Sequence, residues 1–87
     1  MIKMGKKRSD LEILADILKI ANEGALKSHI VYKANLNFKV LDVYLKRLFG
    51  SGLIAFSSFD DRLYTTTPKG RDYINQFGNL VQVFNLA

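Results

Sequence analysis

The chain has 87 residues, 13 lysines and arginines against 8 acids, a formal net charge of +5, and 48% hydrophobic residues. That length holds one small domain, and the apolar content is that of a packed core rather than a disordered segment. No cysteine is present, which excludes disulfides, zinc–thiolate sites and thiol nucleophiles. No apolar run approaches the roughly 18–20 residues of a membrane span, and the basic N-terminus lacks the apolar core of a signal peptide, so a cytoplasmic protein is expected.

Charge placement matters more than its sum. Lys3, Lys6, Lys7 and Arg8 crowd the first eight residues, which read as a flexible basic arm (residues 1–8). Residues 9–23 are net acidic, 24–52 net basic and 53–66 slightly acidic. Such segregation suits a polyanionic partner; its bland counterpart is a solvated surface and a solubilising tail.

The first helix opens at Ser9 and Glu12, which have capping-box spacing, and Asp10 and Glu12 favour the positive end of its dipole. Leu11, Ile13, Leu14, Ile17, Leu18 and Ile20 or Ala21 form its apolar stripe, and Gly24 ends it. Residues 24–26 are expected to add a short strand. A second helix over about Lys27 to Ala34 turns Ile30 and Val31 to the core.

Asn35-Leu36-Asn37 makes a turn, with Asn37 as N-cap of a third helix. There Phe38, Leu41, Leu45 and Leu48 share one face, bordered by Tyr44 and Phe49, while Lys39, Val40, Asp42, Val43, Lys46 and Arg47 lie opposite. Asp42 has the spacing to pair with Lys46. About 14 helical residues reach roughly 21 Å, enough to lie along a major groove.

Gly50-Ser51-Gly52 stops this helix. Residues 53–56 and 63–66 read as strands around the acidic loop 57–62. Thr67-Pro68 then opens a last helix, threonine as cap and proline at the first position. Tyr73, Phe77, Leu80 and Phe84 follow a 4-3-4 spacing there, and Gly78 is a candidate kink. They are read as a dimer contact, with a lid on the domain's own core as the alternative; Leu86 extends the same set.

Helix, glycine stop and β-hairpin in this order describe an α+β fold, a winged helix-turn-helix with a three-helix core, a hairpin wing and a C-terminal helix. The expected division is an arm (1–8), a DNA-binding domain (9–72) and a dimerisation helix (73–87). Ile30, Tyr32, Ala34, Asn35 and Leu36 match a segment of the type I-x-Y-x-A-N-L, and Thr67, Lys69 and Gly70 match T-x-K-G. On these segments the chain resembles the 10a-type DNA-binding proteins of thermoacidophilic archaea over roughly residues 11–73. That resemblance implies double-stranded DNA binding and a homodimer joined by the C-terminal helix. The tail after Gly78 is too short for a long coiled coil.

The expected DNA contacts are Asn37, Lys39, Val43, Tyr44, Lys46 and Arg47 from the third helix, and Lys27, Ser28 and Lys33 from the second. Arg62 is added from the wing, and Lys6, Lys7 and Arg8 from the arm. Asn37 is equally read as a cap only, and Tyr44 as half-buried. His29, the one histidine, has no second ligand or nucleophile to work with. The wing tip Phe59-Asp60-Asp61-Arg62 is poor in cations for a wing that enters a minor groove. No catalytic pair, phosphate loop or cofactor fingerprint is present, so no enzyme, cofactor, metal or small-molecule ligand is expected. The role expected is a transcriptional regulator or a nucleoid-associated chromatin protein; the alternative is a winged-helix protein-interaction module without DNA contact.

Overall fold

The computed structural model describes residues 8–84, and of Phe84 the backbone alone. Helix α1 (Asp10–Ile20) begins on a complete capping box. The Glu12 N–H donates to Ser9 Oγ at 3.1 Å and the Ser9 N–H to Glu12 Oε1 at 2.7 Å, so two orphan donors of the helix start are satisfied. A 3-10 turn (Ala21–Glu23) follows and ends at Gly24, whose φ of +97° lies where a side chain would be strained.

Strand β1 (Ala25–Leu26) leads directly into α2 (Lys27–Ala34). Asn35 closes α2 at φ 57°, a left-handed position that asparagine tolerates better than most residues. Helix α3 (Phe38–Gly50) is capped as expected, with the Val40 N–H donating to Asn37 Oδ1 at 2.8 Å. Strands β2 (Ile54–Phe56) and β3 (Leu63–Thr66) complete an antiparallel sheet of order β1-β3-β2, and α4 (Pro68–Phe84) runs on through Gly78 as one helix. Thr67 caps it: Gly70 N–H donates to Thr67 Oγ1 at 3.0 Å.

One core joins these elements. Leu14, Ile17 and Leu18 of α1, Ile30 of α2, Leu41, Leu45 and Leu48 of α3 and Ile54 of β2 are all buried. Each such side chain contributes about 1.5–3 kcal/mol relative to exposure. Thr66 is the one buried polar side chain among the described residues, and its hydroxyl donates to the Leu18 carbonyl at 2.6 Å. That bond ties β3 to the last turn of α1.

Two apolar expectations are corrected. Phe38 is 51% exposed rather than part of the buried stripe of α3. Leu36, in the preceding turn, packs against the core instead. Leu11 is likewise exposed, because the buried arc of α1 is centred on Leu14, Ile17 and Leu18.

Candidate nucleic-acid interface

An α-helix turns 100° per residue, so Leu41, Leu45 and Leu48 fix the inward side of α3 and thereby its outward side. Lys39, Val43 and Lys46 fall on one arc of about 60° directly opposite the core. All three are exposed, and Val43 keeps 57% of its surface. Gly50 continues the stripe, and a Cβ added there would meet nothing within 4 Å. The result is a ridge with an apolar centre and a lysine on each side. No ion pair engages Lys39, Lys46 or Lys33 among the described residues.

On one shoulder of this ridge stand Tyr44 and Arg47, and both turn towards α1. The half-buried Tyr44 donates its hydroxyl proton to Asp10 Oδ1 at 2.8 Å, and Arg47 Nη1 lies 3.6 Å from Asp10 Oδ2. The Arg47 guanidinium also sits 5.9 Å from the Tyr44 ring centroid, within cation–π range. The bond to Asp10, helped by burial and by the carboxylate's charge, raises the Tyr44 pKa, since ionisation would remove the donor and set two anions together. In this rotamer Arg47 is aimed at the flank of the ridge rather than outward from it.

On the other shoulder Asp42 accepts an ion pair from Lys27 of α2, which raises the lysine's pKa through that hydrogen bond. This corrects the expectation that Asp42 pairs with Lys46. Across the α2–α3 packing Lys27 reaches it, and Lys46 is left to solvent. Ser28, His29 and Lys33 are exposed along α2. Asn37 uses its side-chain oxygen as a cap, and its amide group is not a donor to any described residue.

Arg8 lies on the domain. Its guanidinium donates to Asp16 Oδ2 at 2.9 Å and to the Ala34 carbonyl at 2.7 Å, bridging α1 and the end of α2. Lys6 and Lys7, like Lys3, lie outside the described residues.

The wing is turned in on itself. Arg62 donates to Asp60 through its backbone N–H at 2.9 Å, Nε at 3.1 Å and Nη2 at 2.8 Å. These bonds, the side-chain fork first and then the backbone N–H, pull the Asp60 pKa from 3.8 down to about 2. Phe49 of α3, Phe56 of β2 and Tyr64 of β3 pack with ring centroids 4.9–5.9 Å apart and anchor the wing to α3.

In α4, Tyr73 and Ile74 pack against the domain's own core, and the Tyr73 hydroxyl donates to the Leu11 carbonyl at 3.1 Å. Phe77 stacks on Tyr73, while Leu80, Val81 and Val83 face solvent. Asp10 is the participant that the sequence reading missed as part of this region. It was legible only as a favourable charge at a helix start, because its partners are 34 and 37 positions away.

Among the described residues no three His, Cys, Asp or Glu side chains converge as a metal site, no cavity is present, and no helix is long and apolar enough to cross a membrane. No curated protein matches the sequence. The crystal structure of Sso10a-2, a DNA-binding protein from Sulfolobus solfataricus, superposes with a TM-score of 0.77 at 26% identity, covering 87% of this chain and 81% of that one. A family model described as winged helix-turn-helix matches residues 7–84. With four helices and a three-stranded sheet among the described residues, and that match over nearly all its length, the chain belongs to the winged helix-turn-helix family.

Proposed function

We propose that the protein binds double-stranded DNA, with α3 in the major groove, and acts as a transcriptional regulator or a chromatin-associated protein rather than as an enzyme. The observation that carries this reading is the ridge Lys39–Val43–Lys46, exposed and set opposite the core on a single helix face. The lysines neutralise phosphates and release counterions, and Val43 offers an apolar contact of the kind that meets a thymine methyl. Lys33, Lys27 and Arg47 extend the charge along both shoulders, the last two after exchanging a carboxylate for a phosphate. Ser28 and the free amide of Asn37 supply neutral hydrogen bonds to the backbone. The structural likeness to a protein described as DNA-binding supports the same partner.

The test is binding of a fluorescent duplex over a range of salt. With about five phosphate contacts per protomer, log K falls against log salt with a slope of about −4 to −5. Changing Lys39 and Lys46 together to alanine is expected to weaken binding at least tenfold and to flatten that slope. A slope near zero, or unchanged affinity, overturns the reading.

The protein is further proposed to work as a homodimer through the outer half of α4. Leu80, Val81 and Val83 form an exposed apolar set beyond the part of the helix that serves the domain's own core. Two copies would place two α3 ridges on one duplex at a fixed separation. Sedimentation equilibrium tests this: the wild type runs as a dimer and Leu80→Glu as a monomer, and two monomers would refute it.

A further inference from the structure

The wing ends in a side chain that neither the fold nor the phosphate contacts use. Phe59 is 95% exposed, the most exposed large apolar residue described. A ring left in water forgoes about 2–3 kcal/mol of burial, which an apolar partner at this loop would recover. We propose that Phe59 is an apolar wedge that enters the base stack of the duplex held by α3. The proposal rests on the duplex-binding reading above and adds to it a mode of contact and a deformation of the DNA.

Three observations carry it. First, hydrogen bonds within the turn brace the backbone of the tip. The Phe59 N–H donates to Ser57 Oγ at 3.1 Å, the Leu63 N–H to the Asp60 carbonyl at 3.0 Å, and the Ser57 N–H to the Leu63 carbonyl at 2.8 Å. A backbone braced in this way has little further freedom to lose, so insertion has only the ring's own rotamer to fix. Second, one of the two carboxylates at the tip is neutralised. Arg62 clasps Asp60 in a two-pronged fork and leaves 28% of that carboxylate side chain exposed, so Asp61 is the tip's one carboxylate without an ion pair among the described residues. A wing built this way has no cation to spare for the minor groove, but it presents an apolar group that a base step can accept.

Third, the wing is fixed to the reading helix. Phe49 of α3 lies 5.1 Å from Phe56 of β2 and 5.9 Å from Tyr64 of β3, ring centre to ring centre. The hairpin is thereby held against α3, the helix proposed to meet the duplex. Apolar side chains that enter a step from the minor groove unstack it and kink the duplex by roughly 20–90°.

The experiment uses the full chain and a set of short duplexes. Each carries 2-aminopurine at a different position, whose fluorescence rises on unstacking, and a donor and an acceptor dye at the ends, which report bending. Wild type is expected to raise the fluorescence at one or two adjacent positions and to bring the ends together. Phe59→Ala is expected to lose both signals, to bind about three- to tenfold more weakly, and to keep the salt slope and the thermal midpoint, since the ring supports no other residue. Phe59→Leu, which restores an apolar wedge, is expected to recover most of the bend. Salt-dependent binding by wild type without unstacking or bending overturns the wedge and leaves the duplex-binding reading standing. Equal unstacking by wild type and Phe59→Ala also overturns it. Absence of any duplex binding removes both.

Discussion

The Tyr44 hydroxyl of α3 donates to Asp10 Oδ1 of α1 at 2.8 Å, and the other oxygen of the same carboxylate lies 3.6 Å from Arg47 Nη1. A single acid at the start of the first helix thus occupies two side chains of the helix proposed to read DNA. The ion pair is loose, with its side chains 52% and 64% exposed, so it is worth at most about 1 kcal/mol. An exposed pair this weak leaves Arg47 able to exchange the carboxylate for a phosphate in the DNA-binding reading proposed above.

Asp10→Asn keeps an acceptor for Tyr44 and removes the charge that competes for Arg47. Duplex affinity is expected to rise about two- to fivefold in moderate salt, as read by fluorescence anisotropy. The same change removes an acidic residue from the first turn of α1 and lowers stability by about 0.3–1 kcal/mol. Tighter binding with a lower thermal midpoint is the expected pair of results; weaker binding would show that Asp10 holds Arg47 in its productive position.

The Asp60–Arg62 clasp makes a pH prediction. A carboxylate with a depressed native pKa favours the folded state above its unfolded value of 3.8, and that contribution is lost as pH falls through about 2. Carbon NMR of the Asp60 carboxyl is expected to show a midpoint of about 2, and Arg62→Gln to return it towards 3.8. Because both groups are on the surface, the thermal midpoint at neutral pH is expected to change little. An ordinary midpoint in the wild type would mean that the clasp does not form.

Thr66 joins β3 to α1 through its hydroxyl on the Leu18 carbonyl at 2.6 Å, in a fully buried position. Thr66→Val preserves the shape and strands that carbonyl. A loss of about 1–3 kcal/mol is expected in urea unfolding, with an unchanged m-value. A loss below about 0.5 kcal/mol would indicate that the carbonyl finds another donor.

Two glycines of α4 are expected to respond in opposite directions. A Cβ at Gly70 would stand 2.2 Å from the Leu53 carbonyl oxygen and 2.6 Å from Thr66 Cγ2, so α4 cannot keep its seat on the sheet with alanine there. Gly70→Ala is expected to cost about 2–3 kcal/mol or more. At Gly78 an added Cβ meets nothing within 4 Å, and Gly78→Ala is expected to stabilise by up to about 1 kcal/mol. Thermal melts of the two variants check both signs.

The amino-acid sequence by itself determined the elements and their ends. Ser9 with Glu12, Asn37 and Thr67 each cap the helix that their position announces, and the spacing of Leu41, Leu45 and Leu48 sets the inward face of α3. These are interactions among residues three or four apart, whose geometry local chain stereochemistry fixes. The outward residues Lys39, Val43 and Lys46 follow from the same periodicity. The tertiary structure alone decided which charges remain available. It placed Lys27 on Asp42, Arg47 and Tyr44 on Asp10, and Arg8 on Asp16 and the Ala34 carbonyl. It also chose Leu36 over Phe38 for the core and drew Tyr73 onto its own domain. Ion pairs on long side chains are selected by which helices come to lie side by side, and that proximity carries no signature in local spacing. The cationic face is therefore written in the periodicity of α3, and its competition with the protein's own carboxylates is written only in how α1 and α2 pack against it.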